Sequence, residues 1–156
     1  MWLAILDKLT TKYKVLCWGY SINPTCIFYN LACETVEHLF FECSFTRRIW
    51  RQGLEKCQVN TNILQLGNII TYITPLQLDK NLKAFTLKHL LAASTYFIWL
   101  ERNRRIFCNL AKTEESIFLE IARHVKFKVS FCNRKFACNT LNKEICKAWE
   151  IEDIIV

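Results

Sequence analysis

Hydrophobic positions along the chain recur mainly at three- and four-residue steps, the period of a helix with one face turned to a core. From Trp2 to Trp18 the set Leu3, Leu6, Leu9, Tyr13 and Leu16 predicts an amphipathic helix, with Gly19 as its stop. "SINPTC" reads as a loop, because Pro24 biases Asn23 toward extended geometry. A second helix is predicted with Thr35 as N-cap and Glu37 in its first turn, running through Leu39, Phe41, Ile49 and Trp50. A break is expected near Ser44, and Gly53 weakens the tail. Residues 59–75 suit a short helix or extended chain, since the β-branched run "NIITYIT" keeps a strand open. Asp79 is the candidate cap of the longest helix, "KNLKAFTLKHLLAASTYFIWLERNRRIF". Its apolar side includes Leu82, Phe85, Leu90, Tyr96, Phe97 and Leu100. Thr113 with Glu114 and Glu115 opens a further helix bearing Ile117, Ile121 and Val125, and a short closing helix is predicted around Lys143–Trp149.

This pattern predicts a mainly α fold in three stretches. Residues 1–55 form a small helical domain with a loop-helix site, residues 56–78 a connector, and residues 79–156 a basic extension of two or three packed helices. The composition agrees: 52% of residues are hydrophobic and only three glycines and two prolines interrupt the backbone, which excludes a disordered or collagen-like chain. The strongly apolar run Leu90–Leu100 is closed by Lys88 and Glu101, well short of the roughly 20 residues a membrane span needs. The opening "MWLAILDKLTTKYK" meets Asp7 and Lys8 too early for a secretory signal. The nine cysteines, odd in number and not closely paired, are therefore expected as free thiols in a reducing, intracellular compartment.

Four of the candidate chemical groups lie close together. Cys26, Cys33, His38 and Cys43 are spaced C-x6-C-x4-H-x4-C, and thiolate and imidazole donors in sets of four are what a structural zinc ion takes. The second half, C-x4-H-x4-C, matches a zinc knuckle, giving the N-terminal domain a knuckle-like loop-helix site. The first half does not match, because a knuckle would need cysteine where Asn30 stands. A regular helix raises a further difficulty. Five residues turn it through about 500°, leaving His38 and Cys43 about 140° apart, so joint ligation requires the helix to distort, tighten or end before Cys43. Without metal the same residues would be buried thiols and an imidazole bonded to backbone.

The stretch "WLAILDKLTTKYKVLCWGYSINPTCIFYNLACETVEHLFFECSFTRRIW" resembles the zinc-binding domain that follows the reverse transcriptase in plant LINE-type (non-LTR) retrotransposons. Trp2, Leu3, Ala4, Leu9, Thr11, Lys12, Leu16, Trp18 and Gly19 fit the first block of that family's pattern, and Cys26 fits its first ligand. Glu34, Thr35, His38, Leu39, Phe40, Phe41, Cys43, Phe45 and Trp50 fit the last block. The resemblance covers the first third of the chain, and "YFIWLERNRRIF" is similar to a segment found downstream in such elements. It implies a Zn2+ site, with one departure: Tyr29 stands where the family's second cysteine belongs, and a phenol is a poor zinc ligand at neutral pH. Either Cys33 substitutes, or water completes the shell, or the site is degenerate. Met1 falls inside the family's first block, which implies an N-terminally truncated reading frame.

No enzyme is expected. The carboxylates are scattered rather than clustered for paired metal ions, and no nucleophile elbow, P-loop or dinucleotide fingerprint occurs. No local pairing favours a cysteine nucleophile with His89 or His124 as base. The net charge of +7 is uneven, with eleven basic and five acidic side chains between residues 101 and 147, and suits a polyanion. Arg47, Arg48, Arg51, Arg102, Arg104 and Arg105 are the candidate phosphate contacts, reinforced by Arg123, His124, Lys126 and Lys128. Trp50 is expected in the core rather than against a base. The resemblance implies RNA or DNA as a sequence-nonspecific partner, a reverse transcriptase as a second one, a nuclear setting, and no membrane or small-molecule substrate. A different expectation is a helical protein-interaction domain, or a decaying transposon fragment, with no metal and no active role.

Overall fold

The structure, a computed structural model, describes residues 8–29, 31–59, 66–73, 81–151 and 154–156. The described residues form six α-helices and one π-helical turn: α1 (Lys12–Cys17), the π turn (His38–Glu42), α2 (Ser44–Lys56), α3 (Leu66–Ile73), α4 (Leu82–Cys108), α5 (Glu114–Ser130) and α6 (Thr140–Trp149). No strand occurs among them. Two isolated bridges, Thr25 with Cys33 and Phe136 with Ile155, pin a loop and the C-terminal tail. The mainly α class follows from the three- and four-residue period read above.

Helix α4 is the centre of the fold. Its buried side chains, from Leu82, Phe85 and Leu87 through Leu90, Leu91 and Ile98, circle the axis instead of forming one stripe, because α5, α2, α3 and α6 all pack against it. That correction removes Tyr96 and Leu100 from the buried set predicted for this helix: both are exposed, while Glu101 and Arg102 are buried. Asn81 caps α4 by accepting from the Ala84 amide, and Asp79, the expected cap, lies outside the described residues. Thr113 caps α5 as expected, accepting from Ser116, and α5 buries Ile117, Ile121 and Val125. Residues 66–73 resolve the ambiguity before α4 as helix, with Ile69 inward.

Gly53 has a packing reason in the middle of α2. A Cβ there would lie 2.6 Å from Leu90 Cδ1, so its absence lets α2 and α4 approach closely. The helix predicted over Trp2–Trp18 is interrupted among the described residues, since residues 8–11 are not helical. Helix α1 starts at Lys12 and buries nothing, with Tyr13 and Leu16 exposed; Leu3 and Leu6 lie outside the described residues. The cause is tertiary. The Lys12 amide donates to Glu34 Oε1 (3.0 Å) and Arg102 donates to the Thr10 carbonyl (3.3 Å), which holds Thr11 in extended geometry. Gly19 stops the helix with a left-handed φ of +89°, as anticipated.

The hydrophobic core is continuous from Cys26 and Phe28 to Trp149 and Ile154, so the N-terminal site and the later helices share one interior. No described helix is long and apolar enough to cross a membrane.

Candidate metal centre

The local geometry around His38 answers the helical objection. The Cys43 amide donates to the His38 carbonyl (2.8 Å), an i to i+5 bond in place of the usual i to i+4, so one turn holds an extra residue. The turn is thereby wider than an α turn, and the side chains of His38 and Cys43 come to the same face. Cys43 then leaves helical geometry, with ψ of 131°, and caps α2 by accepting from Arg47 (2.8 Å). Thr35 begins the segment as the sequence indicates, its hydroxyl accepting from the His38 amide (3.0 Å). The helix neither tightens nor simply ends; it widens first.

Cys26 comes from the loop across from this turn. Its Sγ lies 3.9 Å from Cys43 Sγ, and the donor atoms of Cys26, His38 and Cys43 all lie within 4.8 Å of one another. Two thiolates on one tetrahedral zinc ion, each at about 2.3 Å, stand about 3.8 Å apart, so the sulfur spacing fits the ion. The imidazole fits as well: His38 Nε2 is buried without a hydrogen-bond partner, an arrangement that normally costs about 1–3 kcal/mol and that a ligand would relieve. Among the described residues no other three such side chains converge in this way.

The electrostatics are those of a thiolate site. Cys43 is drawn down to about 6, chiefly because the Cys26 thiol donates to it, with burial opposing and the Phe45 and Thr46 amides and Arg48 assisting. Cys26 is pushed up, first by that hydrogen bond and then by burial, while the Phe28 and Tyr29 amides pull the other way. Backbone N–H groups thus already point at both sulfurs, ready to stabilise negative charge there. Phe28 and Phe45, close neighbours of these two cysteines in sequence, stack with ring centroids 4.8 Å apart.

Cys33, the fourth ligand expected from the sequence, does not join the cluster. It forms the antiparallel bridge with Thr25, and alternation along the extended chain turns Cys26 and Glu34 inward while Cys33 faces solvent. Tyr29 is 46% exposed and lies in the electrostatic reach of Arg48. The described residues therefore offer three donors, a number that leaves a tetrahedral ion one position for water.

Most of the arginines anticipated at phosphates are engaged within the fold. Arg102 is buried against Glu34 (2.7 Å). Arg104 and Arg105 both pair with Glu101, at 2.8 and 2.9 Å. Arg105 also stacks on Phe28 and Phe45, with its guanidinium carbon 4.9 and 4.6 Å from the ring centroids. Arg48 forms a bidentate pair with Glu114. Arg47 is half-buried and Arg51 exposed, and Trp50 lies in the core as expected. Arg102 and Arg105 fasten α4 to the loop that carries Cys26, and Arg48 ties α2 to α5. Sequence reading missed the role of Glu34 that makes this possible; its position directly before the capping Thr35 was the available signal.

Residues 1–50 match a family model described as zinc-binding in reverse transcriptase. The matched segment contains all three converging donors. No curated protein and no solved structure matches the chain.

Proposed function

We propose that the chain is a non-catalytic, nucleic-acid-binding module derived from the reverse transcriptase polyprotein of a LINE-type retrotransposon, of the kind found in plants. Its zinc site is structural and reduced to three protein donors. The observation that carries this reading is the convergence of Cys26, His38 and Cys43 inside the segment that matches the zinc-binding family. Zinc would be held by these three residues, and the chemistry it supplies when bound is a cross-link between the loop and the turn before α2. Around it, the chain's own groups perform the remaining work. The Phe28, Tyr29, Phe45 and Thr46 amides stabilise sulfur charge. RNA or DNA is the proposed partner, bound without base specificity, with a reverse transcriptase acting alongside in the nucleus.

Metal analysis of the purified chain beside Cys26→Ser, His38→Ala and Cys43→Ser tests the metal half. About one zinc per chain, lost in each variant, is the expected result. Metal-free protein with an unchanged circular dichroism spectrum would reject it. Retention of an unstructured oligonucleotide, with affinity falling steeply as salt rises, tests the other half.

A further inference from the structure

Several cations with no carboxylate partner among the described residues lie on α4 and α5, outside the candidate metal centre. On α5, His124, Phe127 and Lys128 recur at i, i+3 and i+4 and so share one face, and Phe131, the residue that caps the helix C-terminus, follows at i+7. Phe127 and Phe131 are 57% and 74% exposed, yet their rings lie 4.7 Å apart, which presents a double aromatic surface to solvent. His124 packs edge-on against Phe97 of α4 at 5.9 Å, which ties this face to α4. Next to it, Lys88, Lys128 and His124 all bring positive potential to His89, whose ring rests 4.4 Å from Phe85. Among the described residues no carboxylate pairs with Lys88, Arg123 or Lys128, in contrast to the arginines that brace the metal loop.

We propose that this α4–α5 face, formed by Lys88, His124, Phe127, Lys128 and Phe131, is the surface that receives a single-stranded nucleic acid. The proposal rests on the nucleic-acid reading above and assigns it a place outside the segment of residues 1–50 that matches the zinc-binding family. Charge complementarity selects a polyanion, since cations without carboxylate partners have phosphates as their natural counterparts. The exposed aromatic pair selects a single strand, because unpaired bases can stack on it while a duplex keeps its bases covered.

Fluorescence anisotropy on the full chain, with a labelled single strand of about 20 nucleotides and the matching duplex, tests the assignment. Phe127→Ala and Phe131→Ala should each weaken single-strand binding about tenfold and leave duplex binding nearly unchanged. Lys88→Ala with Lys128→Ala should weaken both and lower the slope of log affinity against log salt by about 2. Lys143→Ala, on α6, should change little. Both aromatic residues are exposed, so loss of binding with an unchanged melting temperature cannot be ascribed to misfolding. Wild-type binding that survives all four substitutions would overturn the assignment of this face while leaving the nucleic-acid reading intact. No wild-type binding to either nucleic acid would overturn that reading, and with it this one. Binding to anionic phospholipid vesicles in place of the single strand would likewise overturn it.

Discussion

Arg102 donates two hydrogen bonds to one carboxylate oxygen of Glu34, from Nε at 3.1 Å and Nη2 at 2.7 Å, across 68 residues of sequence. Both side chains are almost completely buried. The same oxygen accepts from the Lys12 amide, and Arg102 also reaches the Thr10 carbonyl and stacks on Trp99 at 4.7 Å. One ion pair thus joins the start of α1, the metal loop and the far end of α4.

Removing one member leaves the other charged and buried. Arg102→Met should destabilise the fold by about 3–5 kcal/mol, and Glu34→Gln should also be strongly destabilising. The double variant should recover part of the loss, because no unpaired charge then remains. Urea titration of the four proteins measures it; strictly additive losses would show that the pair is not coupled.

Substitutions at the metal loop should separate the near cysteines from the exposed one. Cys33→Ser should keep the zinc content of the wild type, since its side chain faces away from the cluster. Tyr29→Cys should raise zinc affinity at least about tenfold by supplying a fourth thiolate. If Cys33→Ser loses the metal and Tyr29→Cys gains nothing, then Cys33 moves into the site in solution.

Proton competition sets the pH dependence of that affinity. Cys43 is held at about 6 and Cys26 well above the usual thiol range, so between about pH 6 and pH 8 the pair retains one proton that zinc must displace. Affinity should therefore rise about tenfold per pH unit in this window, and more steeply below about pH 6, where Cys43 also takes a proton. Competition with a chromophoric chelator at several pH values gives the slope. A flat profile would mean that the sulfurs do not both bind.

At Gly53 two effects of opposite sign compete. Alanine improves helix propensity by about 1 kcal/mol, while a methyl 2.6 Å from the fully buried Leu90 forces repacking that costs about 1–3 kcal/mol. Gly53→Ala should be net destabilising in the wild type and stabilising in a Leu90→Ala background. Thermal melts of the four combinations would reveal the sign change, and its absence would place the closeness of α2 and α4 in doubt.

Much of this molecule is determined by local sequence. The three- and four-residue apolar period, Thr113 as a cap, Gly19 as a stop and the break after Cys43 each reflect interactions spanning a few residues, which is why they can be read without coordinates. Cys26, His38 and Cys43 were visible as donors for the same reason. The convergence of those donors needed the widened turn from His38 to Cys43, which no helical period announces, and the choice between Cys26 and Cys33 depended on which face of a short extended loop meets the core. Likewise, "ERNRR" reads as a source of phosphate contacts, although Glu101 within it already offers Arg104 and Arg105 a partner one turn away. The pairing of Arg102 with Glu34 is visible only in the fold. Local sequence set the helices and the candidate donors; Arg102 and Arg48 find their carboxylates 68 and 66 residues away in the chain, so only tertiary packing could decide that these arginines are structural.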